Sequence, residues 1–137
     1  MKVKLDKGAK MPTMAYNGGA AGWDLYAMEG QIVPARGSAI FDTGVHVALP
    51  FRTAGLLVSK SGLNTKHDIT STGLIDPDYK GSIRVKLYNN GDSDYEVKAG
   101  DKISQMVIIP FIGVVLQEVD DLGESDRGEK GFGSSGR

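Results

Sequence analysis

A chain of 137 residues has the length of one domain, and its 16 basic and 17 acidic side chains leave a formal charge of -1, with no basic surplus to hold nucleic acid. The absence of cysteine excludes disulfides, thiolate nucleophiles and cysteine-ligated metal, and agrees with a reducing, cytoplasmic setting. The opening residues lack the apolar run of a signal peptide, and the most apolar stretch, 106–116, is broken by Pro110 and Gly113 and is too short for a bilayer.

In chain order, short apolar runs at residues 3–5, 31–33, 39–41, 45–49 and 55–58 read as strands, mostly separated by Gly, Pro, Asp or Asn. Between the first two of these, Ala21-Gly22-Trp23-Asp24-Leu25-Tyr26-Ala27 places an acid between two aromatics in a further strand. Residues 61–66 have room for about one helical turn. Residues 72–82 read as strand, turn, strand: Leu74 and Ile75 precede Asp76, Pro77-Asp78 makes the turn, and Tyr79 is closed off by Gly81. Beyond it Ile83, Val85 and Leu87 alternate with Arg84, Lys86 and Tyr88, which sets the apolar residues on one face. Asn89-Asn90-Gly91-Asp92 supplies another turn, and strands are expected again at 95–97, 102–109 and 113–119. No sustained 3.6-residue repeat occurs, so the pattern predicts an all-β sandwich, jelly roll or small barrel. His46, in an alternating strand, is expected to be structural and His67 to lie in a loop; the pair does not suggest a zinc site.

Residues 127–137 hold four glycines, and by composition alone they read as a disordered tail. Their order says more. Phe132 stands among glycines and hydroxyls, with Arg127 and Arg137 at the two ends. Glycines let backbone N–H groups approach phosphate oxygens, Ser134 and Ser135 can donate, and the ring can stack, which suits closure over a phosphorylated ring ligand. It is not a Walker loop, since Ser134 stands where the lysine would be.

Three further segments mix the same residue types: the acid-bearing strand around Asp24, Val58-Ser59-Lys60-Ser61-Gly62-Leu63, and Ala99-Gly100-Asp101-Lys102-Ile103-Ser104-Gln105-Met106. With residues 72–82 and the tail they make five segments. In this order, from about Ala20 to the last residue, the chain closely resembles the trimeric dUTPase family.

The resemblance implies a jelly-roll core over residues 1–125, an arm over 126–137 that closes on a neighbouring subunit, and a homotrimer with shared active sites. It implies hydrolysis of dUTP to dUMP and pyrophosphate, lowering dUTP and supplying dUMP for thymidylate synthesis in the cytoplasm, or in the host cytoplasm for a viral gene. Asp76 is then the general base, Gln105 lies near the α-phosphate and attacking water, and Asp24 sits close to the metal-triphosphate. Lys60, Ser61 and Gly62 take the phosphate side, with lysine where the family usually has arginine; Lys102 likewise replaces an arginine. Gly73 and Ile75 belong to the uracil pocket, whose usual Asn is absent, leaving Thr70, Ser71, Thr72 or the backbone to serve. Tyr79 packs on the deoxyribose C2′ and excludes a 2′-hydroxyl. Phe132 stacks on uracil, while Arg127, Gly133, Ser134 and Ser135 close over the phosphates. Mg²⁺ is expected on the triphosphate and water, with few or no direct protein ligands. Rival readings are a nucleotide-gated trimer that engages another protein, a dCTP deaminase of the same fold, and a carbohydrate or structural jelly roll. Asp24 and Asp76 favour catalysis, and the third motif and tail oppose the other two.

Overall fold

Period-two alternation organises the computed structural model, which describes residues 1–132. Ten strands form: β1 (Lys2–Leu5), β2 (Trp23–Tyr26), β3 (Gln31–Val33), β4 (Ser38–Asp42), β5 (Val45–Ala48), β6 (Thr53–Val58), β7 (Ile69–Ile75), β8 (Arg84–Asn89), β9 (Tyr95–Val97) and β10 (Lys102–Pro110). A single α-helix among the described residues, α1 (Ser61–His67), follows β6. Six strands make one curled antiparallel sheet in the order β2-β10-β6-β7-β8-β4, with β1-β5 and β3-β9 as two-stranded pairs around it. The architecture is an all-β jelly roll, one of the three that the turn spacing predicts and the one the resemblance implies.

The reason is clearest in β8, where Val85, Leu87 and Asn89 are buried and Arg84, Lys86 and Tyr88 face outward. Val85 and Leu87 join Leu25, Val33, Phe41, Val45, Ile69, Ile83, Val97, Ile103 and Met106 in one core. Each such side chain contributes about 1.5–3 kcal/mol by leaving water.

The turn at Asn89-Asn90-Gly91 forms as expected, with Asn89 Oδ1 accepting from Gly91 N–H at 2.9 Å, and it joins β8 to a strand in another sheet, since β9 pairs with β3. Two expectations are corrected. His67 is not in a loop; it ends α1, which runs one residue beyond the expected turn because Asp68 takes a left-handed conformation (φ 55) and caps it by donating to the Asn64 carbonyl at 3.1 Å. Its ring lies 4.9 Å from that of Tyr95. The strand expected at residues 113–119 is absent among the described residues, and Ile112, Val114, Val115 and Leu116 are 85, 72, 96 and 91 % exposed. An apolar run makes a strand only where an edge receives it, and none of this chain's own sheets does.

Candidate active site

β2, β6 and β10 bring three of the five segments together. Asp24 on β2 lies opposite Gln105 on β10, and Gln105 lies opposite Val58 on β6, just before Lys60. Close approach of β2 to β10 depends on Gly22: a Cβ there would sit 3.2 Å from that of Gln105 and 3.3 Å from Val107 Cγ2.

The Asp24 carboxylate is 1 % exposed and is the hub of the cluster. Its Oδ1 accepts from Lys60 Nζ at 2.6 Å and from Gln105 Nε2 at 3.2 Å. Lys102 Nζ stands 2.8 Å from Oδ2 as an ion pair without the alignment of a directed hydrogen bond. Burial alone would raise the Asp24 pKa, but the Lys102 ammonium beside it and the hydrogen bonds from Lys60 and Gln105 outweigh it and hold the carboxyl below its ordinary value. The same contact, with the charge of Asp24, raises the pKa of Lys102. One carboxylate against two ammonium groups leaves a positive excess suited to polyphosphate. Because Nε2 of Gln105 is engaged by Asp24, its Oε1 is left as the acceptor end.

Asp76 and Tyr79 sit together in the turn after β7, where Tyr79 N–H donates to the Asp76 carbonyl at 3.2 Å and the Tyr79 hydroxyl to the Ser82 carbonyl at 2.9 Å. The hydroxyl end of the ring lies against Gly81, where an added Cβ would come within 2.3 Å of the hydroxyl and 2.5 Å of Cζ. Asp76 and Tyr79 are both exposed. Gly73 and Ile75 lie on the β7 stretch that borders an open hairpin. The β7–β8 ladder holds only from Ile69↔Asn89 to Ser71↔Leu87, although both strands continue toward the turn. Backbone groups of residues 72–75 and 84–86 therefore face each other across a slot without hydrogen-bonding across it.

This turn and the lysine cluster do not meet within one chain. The β6–β7 register sets Val58 against Thr72 and Gly55 against Ile75, so Asp76 stands near Ala54 while Lys60 lies beyond the other end of β6. At the rise of a strand the two are roughly 20 Å apart. Ser61 and Gly62 begin α1 and are exposed. Arg127 Nε donates to the Lys130 carbonyl at 2.9 Å and Phe132 is fully exposed, so neither reaches the cluster. Gly133, Ser134 and Ser135 lie outside the described residues.

The sequence reading missed Lys10 and Tyr26. Lys10 Nζ lies 5.3 Å and Lys102 Nζ 6.0 Å from the Tyr26 ring centroid, and Lys10 donates to the Gly100 carbonyl at 3.3 Å. No spacing in the sequence marks that contact. It also missed Ser104, and it weighed Ser71 only as a replacement for the absent Asn; both are buried. Their signal was a hydroxyl at a position where alternation asks for an apolar side chain.

The chain is thus an all-β jelly roll with a cationic cluster at one end of a ladder and an acid-bearing turn beside an open slot at the other. Comparison with known proteins narrows the class. A family model described as dUTPase matches residues 7–136. The deoxyuridine 5'-triphosphate nucleotidohydrolase of Clostridium acetobutylicum is 42 % identical over 136 residues, covering 97 % of this chain and 93 % of that protein. The Arabidopsis thaliana protein of the same name is 42 % identical over 134 residues, covering 97 % of this chain and 80 % of that one. Among solved structures, the Staphylococcus bacteriophage 80alpha dUTPase with dUpNHpp superposes with a TM-score of 0.86 at 32 % identity, covering 99 % of this chain and 98 % of the other. A mutant dUTPase from phage phi11 of S. aureus, described with a structural Mg(II) ion, gives 0.80 at 26 % identity, covering 88 % of this chain and 97 % of the other. The chain belongs to the dUTPase family, the deoxyuridine 5'-triphosphate nucleotidohydrolases.

Proposed function

We propose that this chain hydrolyses dUTP to dUMP and pyrophosphate at sites assembled from more than one subunit of a homotrimer, with residues 1–125 as the core and 126–137 as the closing arm. One observation carries the reading: Lys60, Lys102 and Gln105 converge on the buried Asp24 carboxylate, a positively charged seat suited to a triphosphate.

A water oxygen attacks the α-phosphorus, the bond from that phosphorus to the bridging oxygen breaks, and pyrophosphate leaves with the electron pair. Asp76 takes the proton of the attacking water, a task typically worth about 10²–10⁴-fold. Lys60 grips the phosphates throughout, Lys102 balances the growing charge on the leaving group, and Gln105, fixed through Nε2, offers Oε1 to the water. Asp24 acts through these neighbours and is a positioning residue. Thr72–Ile75 and Arg84–Lys86 backbone groups, left facing across the slot, pair with the uracil edge, which makes the missing Asn dispensable. Tyr79 packs against C2′ of the sugar, and Ser61 and Gly62 with Arg127, Phe132, Gly133, Ser134 and Ser135 close the phosphate side.

Magnesium fits as a companion of the triphosphate. Among the described residues no three His, Cys, Asp or Glu side chains are grouped to hold a metal ion, while Asp24 Oδ2, without a directed hydrogen bond, is suited to accept from a water of the ion's shell. When bound, the ion neutralises phosphate charge. No helix among the described residues is long and apolar enough to cross a membrane.

Sharing between subunits follows from the roughly 20 Å that part Asp76 from Lys60 in one chain, and the uncovered apolar residues 112–116 supply surface for a neighbour. Two assays test the reading. Pyrophosphate release is measured with dUTP, dTTP, dCTP and UTP, with Mg²⁺ and with chelator; magnesium-dependent release from dUTP alone is expected, and release from none refutes hydrolysis. Asp76→Asn and Lys60→Ala chains are then unfolded, mixed equally and refolded. Random trimers regain about a quarter of wild-type activity if each site draws the two residues from different chains, and no recovery refutes sharing.

A further inference from the structure

Three serines lie where β6, β7 and β10 approach the cluster, and the mechanism above gives them no task. The β6–β7 ladder runs to Val58↔Thr72, and its next rung would set Ser59 against Ser71. In an antiparallel ladder such a rung is made by two backbone hydrogen bonds. Here the Ser59 hydroxyl makes both: it accepts from Ser71 N–H at 2.9 Å and donates to the Ser71 carbonyl at 3.1 Å. The backbone of Ser59 is thereby released one residue early. Lys60 leaves in an extended conformation (φ -69, ψ 125), and α1 begins at Ser61.

The second pair of hydroxyls is deeper. Ser104, with no exposed surface, donates to the Val58 carbonyl at 2.9 Å and lies 2.9 Å from the Ser71 hydroxyl. A hydroxyl has one proton, and that of Ser104 is committed to Val58, so Ser71 donates to Ser104. The chain of bonds has a direction, from Ser71 on β7 to Ser104 on β10 to Val58 on β6. All three strands are pinned at one level. Lys60 emerges two residues past Val58, and Gln105 follows Ser104 directly. Both side chains then reach the same Asp24 oxygen.

We propose that Ser59, Ser71 and Ser104 are positioning residues for the phosphate side of the site: their hydroxyls set where β6 leaves the sheet and so fix the reach of Lys60 and Gln105. The proposal rests on the hydrolytic reading above. Without the Ser59 hydroxyl, the backbone of residue 59 is free to close the missing rung itself, which draws Lys60 toward the ladder and away from Asp24. Without Ser104, the Val58 carbonyl and the Ser71 hydroxyl lose their partner beside Gln105.

The test compares Ser59→Ala, Ser59→Thr and Ser104→Ala with the unaltered chain by steady-state pyrophosphate release from dUTP, affinity for dUpNHpp, and melting temperature. Lys60 meets phosphate in ground and transition states alike, so Ser59→Ala should raise KM and weaken dUpNHpp binding about tenfold with kcat nearly kept. Gln105 acts on the attacking water, so Ser104→Ala should lower kcat about tenfold with KM nearly kept. Ser59→Thr, which keeps the hydroxyl, should restore both constants. Lower melting temperatures with unchanged kinetics, or the same kinetic loss in Ser59→Thr as in Ser59→Ala, would overturn the proposal. If Ser104→Ala does not fold, Ser104→Cys replaces it: a several-fold kcat loss supports the idea, and wild-type kcat defeats it. An unaltered chain that binds dUpNHpp but releases no pyrophosphate sinks the hydrolytic reading alone, and the dUpNHpp affinities still decide the role of Ser59.

Discussion

Changing Asp24 to Asn keeps the shape of the side chain and removes its charge. The amide has one acceptor oxygen where the carboxylate had two, so it can serve Lys60 and Gln105 or Lys102, but its NH₂ must face whichever remains. Removing one partner of a buried ion pair costs about 3–5 kcal/mol. Here the lysine side chains are 23 and 46 % exposed and can swing to water, which lowers the expected loss to roughly 2–3 kcal/mol. For a domain of this size that is a fall in melting temperature of roughly 6–12 °C. The pH dependence carries the sharper test. The folded-state pKa of Asp24 is depressed, so its contribution is full above the unfolded value near 3.8 and is lost as pH falls through the lower folded value. Thermal or urea unfolding of both proteins at fixed protein concentration should therefore show a constant gap from pH 5 to 8 that closes below pH 4. A difference under about 0.5 kcal/mol at pH 7, or one that persists undiminished at pH 3, would refute the view of Asp24 as the buried anchor of two lysines.

Tyr79→Ala should narrow the preference for dUTP over UTP at least tenfold, measured as the ratio of kcat/KM values, because the ring, held against Gly81 on one side, leaves its exposed side for a 2′-hydroxyl to strike; an unchanged ratio defeats that role. Removing residues 127–137 should cut turnover at least tenfold and leave the melting temperature within about 2 °C, since the described part of that segment is exposed and adds no core. A large thermal loss would count against it. His46 receives a different kind of test. Its Nδ1 lies 2.7 Å from the Lys80 carbonyl and its Nε2 3.1 Å from Asp6, and hydrogen bonds to both, with the Asp6 charge, hold its pKa above 6.5. Its stabilisation is then complete below pH 6.5 and lost as pH rises through the folded value, so the melting gap between wild type and His46→Gln should be wider at pH 5.5 than at pH 8.5. A gap independent of pH would contradict this.

How much of this was legible in the sequence depended on whether the information was local. The strands of β8 and β10, and the turn bearing Asp76, follow from alternation and turn residues that act over a few positions. The strand expected at 113–119 shows the limit: β-propensity records that a segment suits an edge and is silent on which chain owns that edge. The site divides in the same way. Asp24, Lys60, Gln105, Asp76 and Tyr79 could be singled out by residue type and order. That one carboxylate oxygen receives both Lys60 and Gln105 is a product of strand register, which sets Asp24 opposite Gln105 and Gln105 opposite Val58. Alternation marks Ser71 and Ser104 one at a time, but the chain they form with Ser59 was illegible, because only packing makes the three hydroxyls neighbours.

The unzipped stretch between β7 and β8 bears on how this protein tolerates sequence drift. Main-chain N–H and C=O groups are the same in every residue except proline, so substitution in codons 72–75 or 84–86 leaves a base-reading edge built from them chemically unaltered. Such an edge is lost by a change of path, through a proline, a bulge or an insertion. On the proposed function, fidelity toward the base then becomes a property of backbone trajectory, and the side chains beside it are free to vary, which accommodates the absence of an Asn from residues 68–75.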